Sequence, residues 1–430
     1  MPRLNVAASA CLALTCSTTL MLGAAFLSIP SARADEPAAT EGDWPNWRGP
    51  GGRGIAPTSA DPPTTWSETE HVAWSTEIPG TGHGSIIVVG EDVVVATADL
   101  EAQVQSLICL DRETGSIRWN CPVHEGGLKQ EGNSKASLAS STPAWDGERY
   151  FINFLNNGAI HTTAVSPTGE IEWQQKISDY VVHQGYGSSP TIYHDLVIVG
   201  ADNKGGGAFA ALRRATGEVV WRFERPSKPN YSSPIVWHLA GQDQLILIGC
   251  DEVVSLDPAR GDVLWRTEGA TTECVTTPVT DGRHIFTSGG YPRNHVSAIV
   301  ADGSNDVTWE TDTRVYVPSM IVSDGLLLAA ADAGVAYCWE AATGKELWKK
   351  RLGGTFSGSP VLVGDLMFVT NEEAETYVVR VSAEGAEIIS VNRLGESAFA
   401  TPTIVGDSVY LRARGGEGDA RVDRIHRVRD

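Results

Sequence analysis

The sequence predicts an all-β fold, an eight-bladed β-propeller of four-stranded antiparallel blades. Three observations predict it: a phrase of about eleven residues ending in Trp recurs along the chain, short apolar segments alternate with Gly, Asp or Asn turns, and no stretch shows the 3.6-residue periodicity of an amphipathic helix. The phrase reads CLDRETGSIRW at 109–119, AVSPTGEIEW at 164–173, ALRRATGEVVW at 211–221 and SLDPARGDVLW at 255–265. It continues as AIVADGSNDVTW ending at Trp309, CWEAATGKELW ending at Trp348, and RVSAEGAEIIS at 380–390, where Ser390 stands in the Trp position. The endings are 54, 48, 44, 44, 39 and 42 residues apart, a spacing of repeated supersecondary units.

Residues 1–34 read as a signal peptide. Arg3 precedes a largely apolar run from Val6 to Ile29, and Ser31-Ala32-Arg33-Ala34 places small residues before a cut at Asp35. An uncleaved membrane anchor is the alternative, since the run is long enough to span a bilayer. Residues 35–70 read as an N-terminal linker and extension. His71-Val72-Ala73-Trp74 then forms a strand 45 residues before Trp119. Each unit opens with a hairpin, such as 191–193 with 196–200 or 359–363 with 367–370, and Thr-Gly (Thr114-Gly115, Thr168-Gly169, Thr216-Gly217, Thr343-Gly344) supplies a positive-φ residue between its last two strands. Asp302–Asp306 replaces one such turn and reads as a lengthened hairpin. The C-terminal strands at 400–405, 408–413 and 424–428 lack a closing Trp strand, so the strand at Trp74 is expected to complete that blade and remove the free edge. Residues 71–430 therefore read as one propeller.

Composition excludes several classes. With 33 Lys+Arg against 53 Asp+Glu the chain repels phosphate, and no basic block offsets this, which excludes nucleic acid as a partner. Hydrophobic content of 42% and 13 Trp exclude a disordered chain. Removing residues 1–34 leaves 31 basic and 53 acidic residues, a strongly acidic monomer expected in a bacterial periplasm or outside the cell. Export also brings an oxidising compartment to Cys109, Cys121, Cys250, Cys274 and Cys338. Local bridges (Cys109 with Cys121, Cys250 with Cys274) and buried free thiols both stay open, while the absence of C-x-x-C removes zinc-ribbon and thioredoxin-type sites. The late arginines Arg412, Arg414, Arg421, Arg424, Arg427 and Arg429 read as a solvated strand edge or as a patch for an acidic partner.

The A-x-D-x-x-T-G-x-x-x-W phrase resembles the tryptophan-docking repeat of quinoprotein-type eight-bladed propellers. That family includes pyrroloquinoline-quinone alcohol dehydrogenases and the propeller lipoprotein of the outer-membrane β-barrel assembly machinery. The resemblance covers about Trp74 to Asp430, and Trp44-Pro45-Asn46-Trp47-Arg48-Gly49-Pro50 is similar to the W-P-x-x-R-G-P opening of exported bacterial propellers. It implies that Trp119, Trp173, Trp221, Trp265, Trp309 and Trp348 pack between neighbouring blades. It also implies a ligand rim built from the segments entering each innermost strand, with His83, Lys135, His183, Tyr186, Asn230, Tyr231, Glu273, Tyr316, Phe356 and Phe399. The turns after each second strand add Asp99, Asn156, Asp202, Asp251, Arg293, Asp332 and Asn371.

Three functions follow as expectations. The first is an exported non-catalytic scaffold holding a protein or peptide partner at the rim, with no catalytic residue, metal or cofactor. The second is a pyrroloquinoline-quinone and Ca²⁺ oxidoreductase. The resemblance implies that such an enzyme needs carboxylate and amide ligands, an Asp base, and a quinone stacked between a Trp and adjacent cysteines. The sequence has no Cys-Cys and places no Trp in an entering segment, leaving Asp202, Asp251 and Asp332 as hard oxygen donors. The third is a carbohydrate-binding propeller stacking sugars on Tyr186, Tyr231 and Tyr316. Ser188-Ser189 and Ser232-Ser233 recur before Pro at strand starts and lack the G-x-S-x-G elbow of a nucleophile.

Overall fold

The computed structural model describes residues 42–416 and 422–430, so the expected signal peptide, Asp35–Glu41 and Arg421 lie outside the described residues. The described strands form eight four-stranded antiparallel sheets. Blades 1 to 7 follow the chain at 87–125, 144–179, 191–224, 235–268, 279–311, 321–351 and 361–393. Blade 8 joins Thr403–Val405, Ser408–Gly415 and Val422–Arg429 to Val72–Ile78 from the other end of the chain, with Thr76 opposite Ile425. Inner strands such as Ile87–Val89 and Val361–Val363 are buried throughout, while outer strands such as Val219–Glu224 are largely exposed. The only helix among the described residues is the 3-10 turn Pro50–Gly52, and none is long and apolar enough to cross a membrane.

The repeated Trp joins one blade to the next. The indole N–H of Trp119, Trp173, Trp221, Trp309 and Trp348 donates to the carbonyl of Pro167, Arg214, Pro258, Ala341 and Ser382 in the following blade, at 2.7–2.9 Å. Trp74 does the same across the closure, to Arg112 at 3.0 Å. Trp265 is the exception and donates within its own blade to Gln244 Oε1, the next turn being the lengthened one at Asp302–Asp306. The Thr-Gly glycine has two reasons to be glycine. Gly217 has φ +73°, and a Cβ there would lie 2.6 Å from the Trp173 ring. A β-bulge precedes each of these positions: Ala211 pairs with Trp221 while Leu212 pairs with Val219, and blades 1, 2, 4, 5, 6, 7 and 8 repeat the shift. The extra residue turns the indole out of its own sheet toward the neighbour.

Blade 7 has Ser390 where the others have Trp. There the N-terminal segment supplies Trp66, whose backbone N–H donates to Asn392 Oδ1 at 3.0 Å and whose side chain is buried in the core shared by blades 7, 8 and 1. Ser390 and Asn392 donate to the Thr64 carbonyl beside it.

Residues beyond Val422 are not an edge. Val72–Ile78 pairs outside them, so Arg412 and Arg427 are buried, Arg412 on Asp423 (3.0 Å) and Arg427 on Glu113 (2.8 Å). Arg414, Arg424 and Arg429 pair with Asp423, Glu77 and Glu113. For these five arginines both sequence readings are thereby corrected, because each is paired with a carboxylate in or beside the closing blade. Cys109, Cys121, Cys250, Cys274 and Cys338 are all free and buried, and burial pushes the Cys121 thiol up to about 11 and Cys250 and Cys338 to about 12.

Two measurements check this account. Trp173→Ala is expected to lower the stability of the protein by about 3–5 kcal/mol and Gly217→Ala by about 2 kcal/mol or more; their double variant should fall short of the sum in urea unfolding, because both act on one contact. Burial also holds His83, His124, His295 and His426 down to about 4. The unfolded chain takes these protons first, near pH 6.5, so stability is intact above that pH and is lost progressively between pH 6.5 and 4. The urea midpoint should fall across this window, and His295→Asn should flatten the fall.

Candidate functional site

Strand alternation puts the segments entering the innermost strands and the turns after the second strands on one face of the ring. On that face the axial channel opens into a cavity of about 370 Å³. At its floor runs a ring of hydroxyls, one per blade: Ser85, Thr142, Ser189, Ser233, Thr277, Ser319, Ser359 and Thr401. The amide of Ser85 donates to Thr142, Thr142 to Ser189 and Ser189 to Ser233, at 2.9–3.0 Å. Thr277 donates to Ser319, Ser319 to Ser359, Ser359 to Thr401, and Thr401 back to Ser85, at 2.9–3.1 Å. Six of the eight precede Pro, which holds them extended as they enter the inner strand. The recurring Ser-Pro pair noted in the sequence is thus a fastening between blades.

The Thr277 hydroxyl accepts the indole N–H of Trp47 at 2.8 Å. Trp47 arrives from the opposite face, where residues 43–56 cross the channel. That segment pairs Trp44 with Val88, accepts the Trp145 amide at Pro45 and the Trp237 indole at Gly51, and pairs Ile55 with Leu362. Arg48 is buried at its centre and donates to the carbonyls of Gly52, Arg53 and Met320. The sequence reading leaves no Trp at the channel; the structure brings Trp47 there because the residue comes from outside the repeats.

Of the expected rim residues, His83, Lys135, Tyr186, Tyr231, Tyr316 and Phe399 line the cavity. His83 stacks on Phe399 with ring centroids 4.2 Å apart and stays neutral down to about pH 4, chiefly through burial. The Arg314 guanidinium lies 4.9 Å over the Tyr316 ring, and burial raises the Tyr316 phenol to about 12. Tyr186 is mostly buried, its hydroxyl on the Gly200 carbonyl at 2.9 Å and its ring edge-on to Tyr180, so it offers little free face. Near Tyr231, His183 Nε2 meets the buried Glu273 carboxylate at 3.1 Å.

The others lie apart from the cavity. Phe356 is fully buried against Tyr377 in the blade core, and its neighbour Ser357 takes the lining position instead. Asp202 is buried on Arg225 (3.1 Å) and Asn230 (3.1 Å). Asp251 accepts from Lys228 and Thr272, both at 2.6 Å, and Asp332 from Arg314 at 3.1 Å. Asp99, Asn156 and Asn371 hold their own or adjacent turns, and Arg293 pairs with Glu310. The three aspartates therefore sit on separate blades, each held by its own cation. No three His, Cys, Asp or Glu among the described residues come together as a ligand set, so the donors do not fit Ca²⁺.

One wall is a strap that the repeat does not predict. Residues 126–143, the long connection into blade 2, reach both sides of the mouth: the Asn133 amide donates to the Gln184 carbonyl at 3.0 Å, and Lys135 Nζ meets Glu372 of blade 7 at 2.6 Å. The 54-residue interval is the sequence signal for it. Arg48→Ala would remove the buried donors to the carbonyls of Gly52 and Met320. It is expected to expose residues 43–55 to limited proteolysis while the propeller survives; a cleavage pattern unchanged from wild type would contradict the plug.

The geometry accords with comparisons to known proteins. The sequence profile of the family described as outer membrane protein assembly factor BamB matches residues 65–166, 131–327 and 314–424. Comparison with curated proteins gives no match. Among solved structures, BamB from Moraxella catarrhalis superposes with a TM-score of 0.59 at 15% identity, covering 82% of this chain and 96% of that one. The quinohemoprotein alcohol dehydrogenase from Comamonas testosteroni gives 0.65 at 13% identity, covering 91% and 81%, and a europium-containing methanol dehydrogenase gives 0.62 at 13%, covering 88% and 90%. At such identities these likenesses establish the shared propeller fold alone. The profile, spanning most of the chain, establishes more: this protein belongs to the outer membrane protein assembly factor BamB family.

Proposed function

We propose that this chain is an exported scaffold whose protein partner docks on the channel-mouth face. The observation that carries the reading is the open, aromatic-walled cavity there. Leu100, Val181 and Tyr291, exposed by 46%, 52% and 55%, belong to the turns and connections of that face, around a cavity walled by Tyr231, Tyr316 and Phe399. An aromatic-walled opening with ion pairs such as Lys135–Glu372 at its mouth has the composition of a docking surface. The family description, an assembly factor, supports a protein as the partner. Export rests on residues 1–34 as read in the sequence. The paired aspartates weigh against the oxidoreductase reading, since recruiting any of them to Ca²⁺ would strip a cation of its counterion.

Full-length protein carrying a photoreactive phenylalanine analogue at position 316 should crosslink one discrete protein species from an extract of exported proteins, and the same analogue at Val219 on the outer strand of blade 3 should not. Equal crosslinking from both positions, or none from 316, removes the reading. Titration with pyrroloquinoline quinone and Ca²⁺ is expected to give no saturable quenching of Trp fluorescence.

A further inference from the structure

Below the rim the cavity has a chemistry that a protein partner does not explain. We infer that it is a binding site for a neutral saccharide, one or two rings in size. This goes beyond the partner reading and does not rest on it, because the floor lies beneath the mouth surface.

The floor is a ring of donors. Ser85, Thr142, Ser189, Ser233, Ser359 and Thr401 all line the cavity, and each accepts a backbone amide from the adjoining blade. A hydroxyl that accepts one such bond retains its O–H, so six O–H donors surround one axis. A matching ligand must present acceptor oxygens in several directions around a small ring, the property of a polyol. The walls ask for a flat apolar face. Tyr231, Tyr316 and Phe399 supply aromatic rings above the floor, and the C–H face of a pyranose packs on such rings while its hydroxyls point outward.

Charge fixes the ligand as neutral. Lys135 at the mouth is paired with Glu372, Arg314 behind Tyr316 with Asp332, and Glu273 near Tyr231 with His183. An anion would have to displace Glu372 or Asp332 from its cation, and a cation would have to displace Lys135 or Arg314. Size agrees: a cavity of about 150 Å³ holds a single benzene, and this one is about 370 Å³.

The test is calorimetric titration of the full-length protein with glucose, maltose, cellobiose and dextran, alongside galacturonate as an anionic probe, with saturation-transfer NMR on the wild type. The expected result is saturable binding of at least one neutral saccharide, with ring C–H protons saturated and affinity at least tenfold weaker in Tyr231→Ala and Tyr316→Ala. Ile171→Ser on the outer strand of blade 2 should leave affinity unchanged. Binding of the mono- or disaccharides identifies a free sugar as the ligand, and binding of dextran alone identifies a chain end. Silence across the neutral panel, preference for galacturonate, or affinity indifferent to both tyrosines overturns the proposal. Because the NMR readout uses unmodified protein, it stands if the tyrosine variants fail to fold. Failure here leaves the crosslinking result at position 316 untouched, and the reverse also holds.

Discussion

Six of the eight blade junctions are fastened at both ends of the radius, blade 4 to 5 and blade 7 to 8 being the exceptions, and everything else in this protein depends on that double fastening. At the axis a backbone amide donates to the hydroxyl of the adjoining blade; at the periphery an indole N–H donates to the adjoining blade's turn. A four-stranded sheet with two open edges gains little stability alone. Fixing neighbours at two radii sets their angle, and the repeated angle closes a ring of eight blades in which no inner strand is left unpaired to solvent. The last angle is set by a strand from the other end of the chain, so the ring is complete only when Val72–Ile78 has found Val422–Arg429.

The fastening also makes the site. The hydroxyls must face the axis to reach their neighbours, which leaves a polar floor at the centre of an otherwise apolar fold. The entering segments, freed from pairing, carry the aromatic residues of the wall. The N-terminal segment then turns a channel into a cup: Trp47 closes the floor through Thr277, held by the buried Arg48 and its three carbonyls. The same segment repairs the weakest repeat by delivering Trp66 to the blade that has Ser390. One stretch of chain outside the repeats thus serves both the ring and the site.

Several parts of the site were legible beforehand and others were not, for identifiable reasons. His83, Tyr231 and Phe399 were found because each stands two residues before its blade's ring hydroxyl, and Tyr316 because it stands one residue further back, three before Ser319. Phe356 stands three residues before Ser359, as Tyr316 does before Ser319, yet turns into the core, and Ser357 at the next position takes the channel side. The aspartates look like ligands in sequence; their partners Arg225, Lys228 and Arg314 are brought to them by blade connections. Trp47 carries no repeat signal at all.

By itself the sequence determined the architecture: eight units, four strands each, the docking tryptophans, the glycines beneath them, and closure by the strand at Trp74. These are periodic and local, and periodicity survives in one dimension. Only the tertiary structure decided which side chains meet. The bulge before each Trp, the capture of the late arginines inside blade 8, the crossing of residues 43–56 and the strap from Asn133 to Glu372 all join residues far apart in the chain. Such contacts follow from ring closure, which brings the two ends of a long sequence to the same place and leaves no local pattern to announce it.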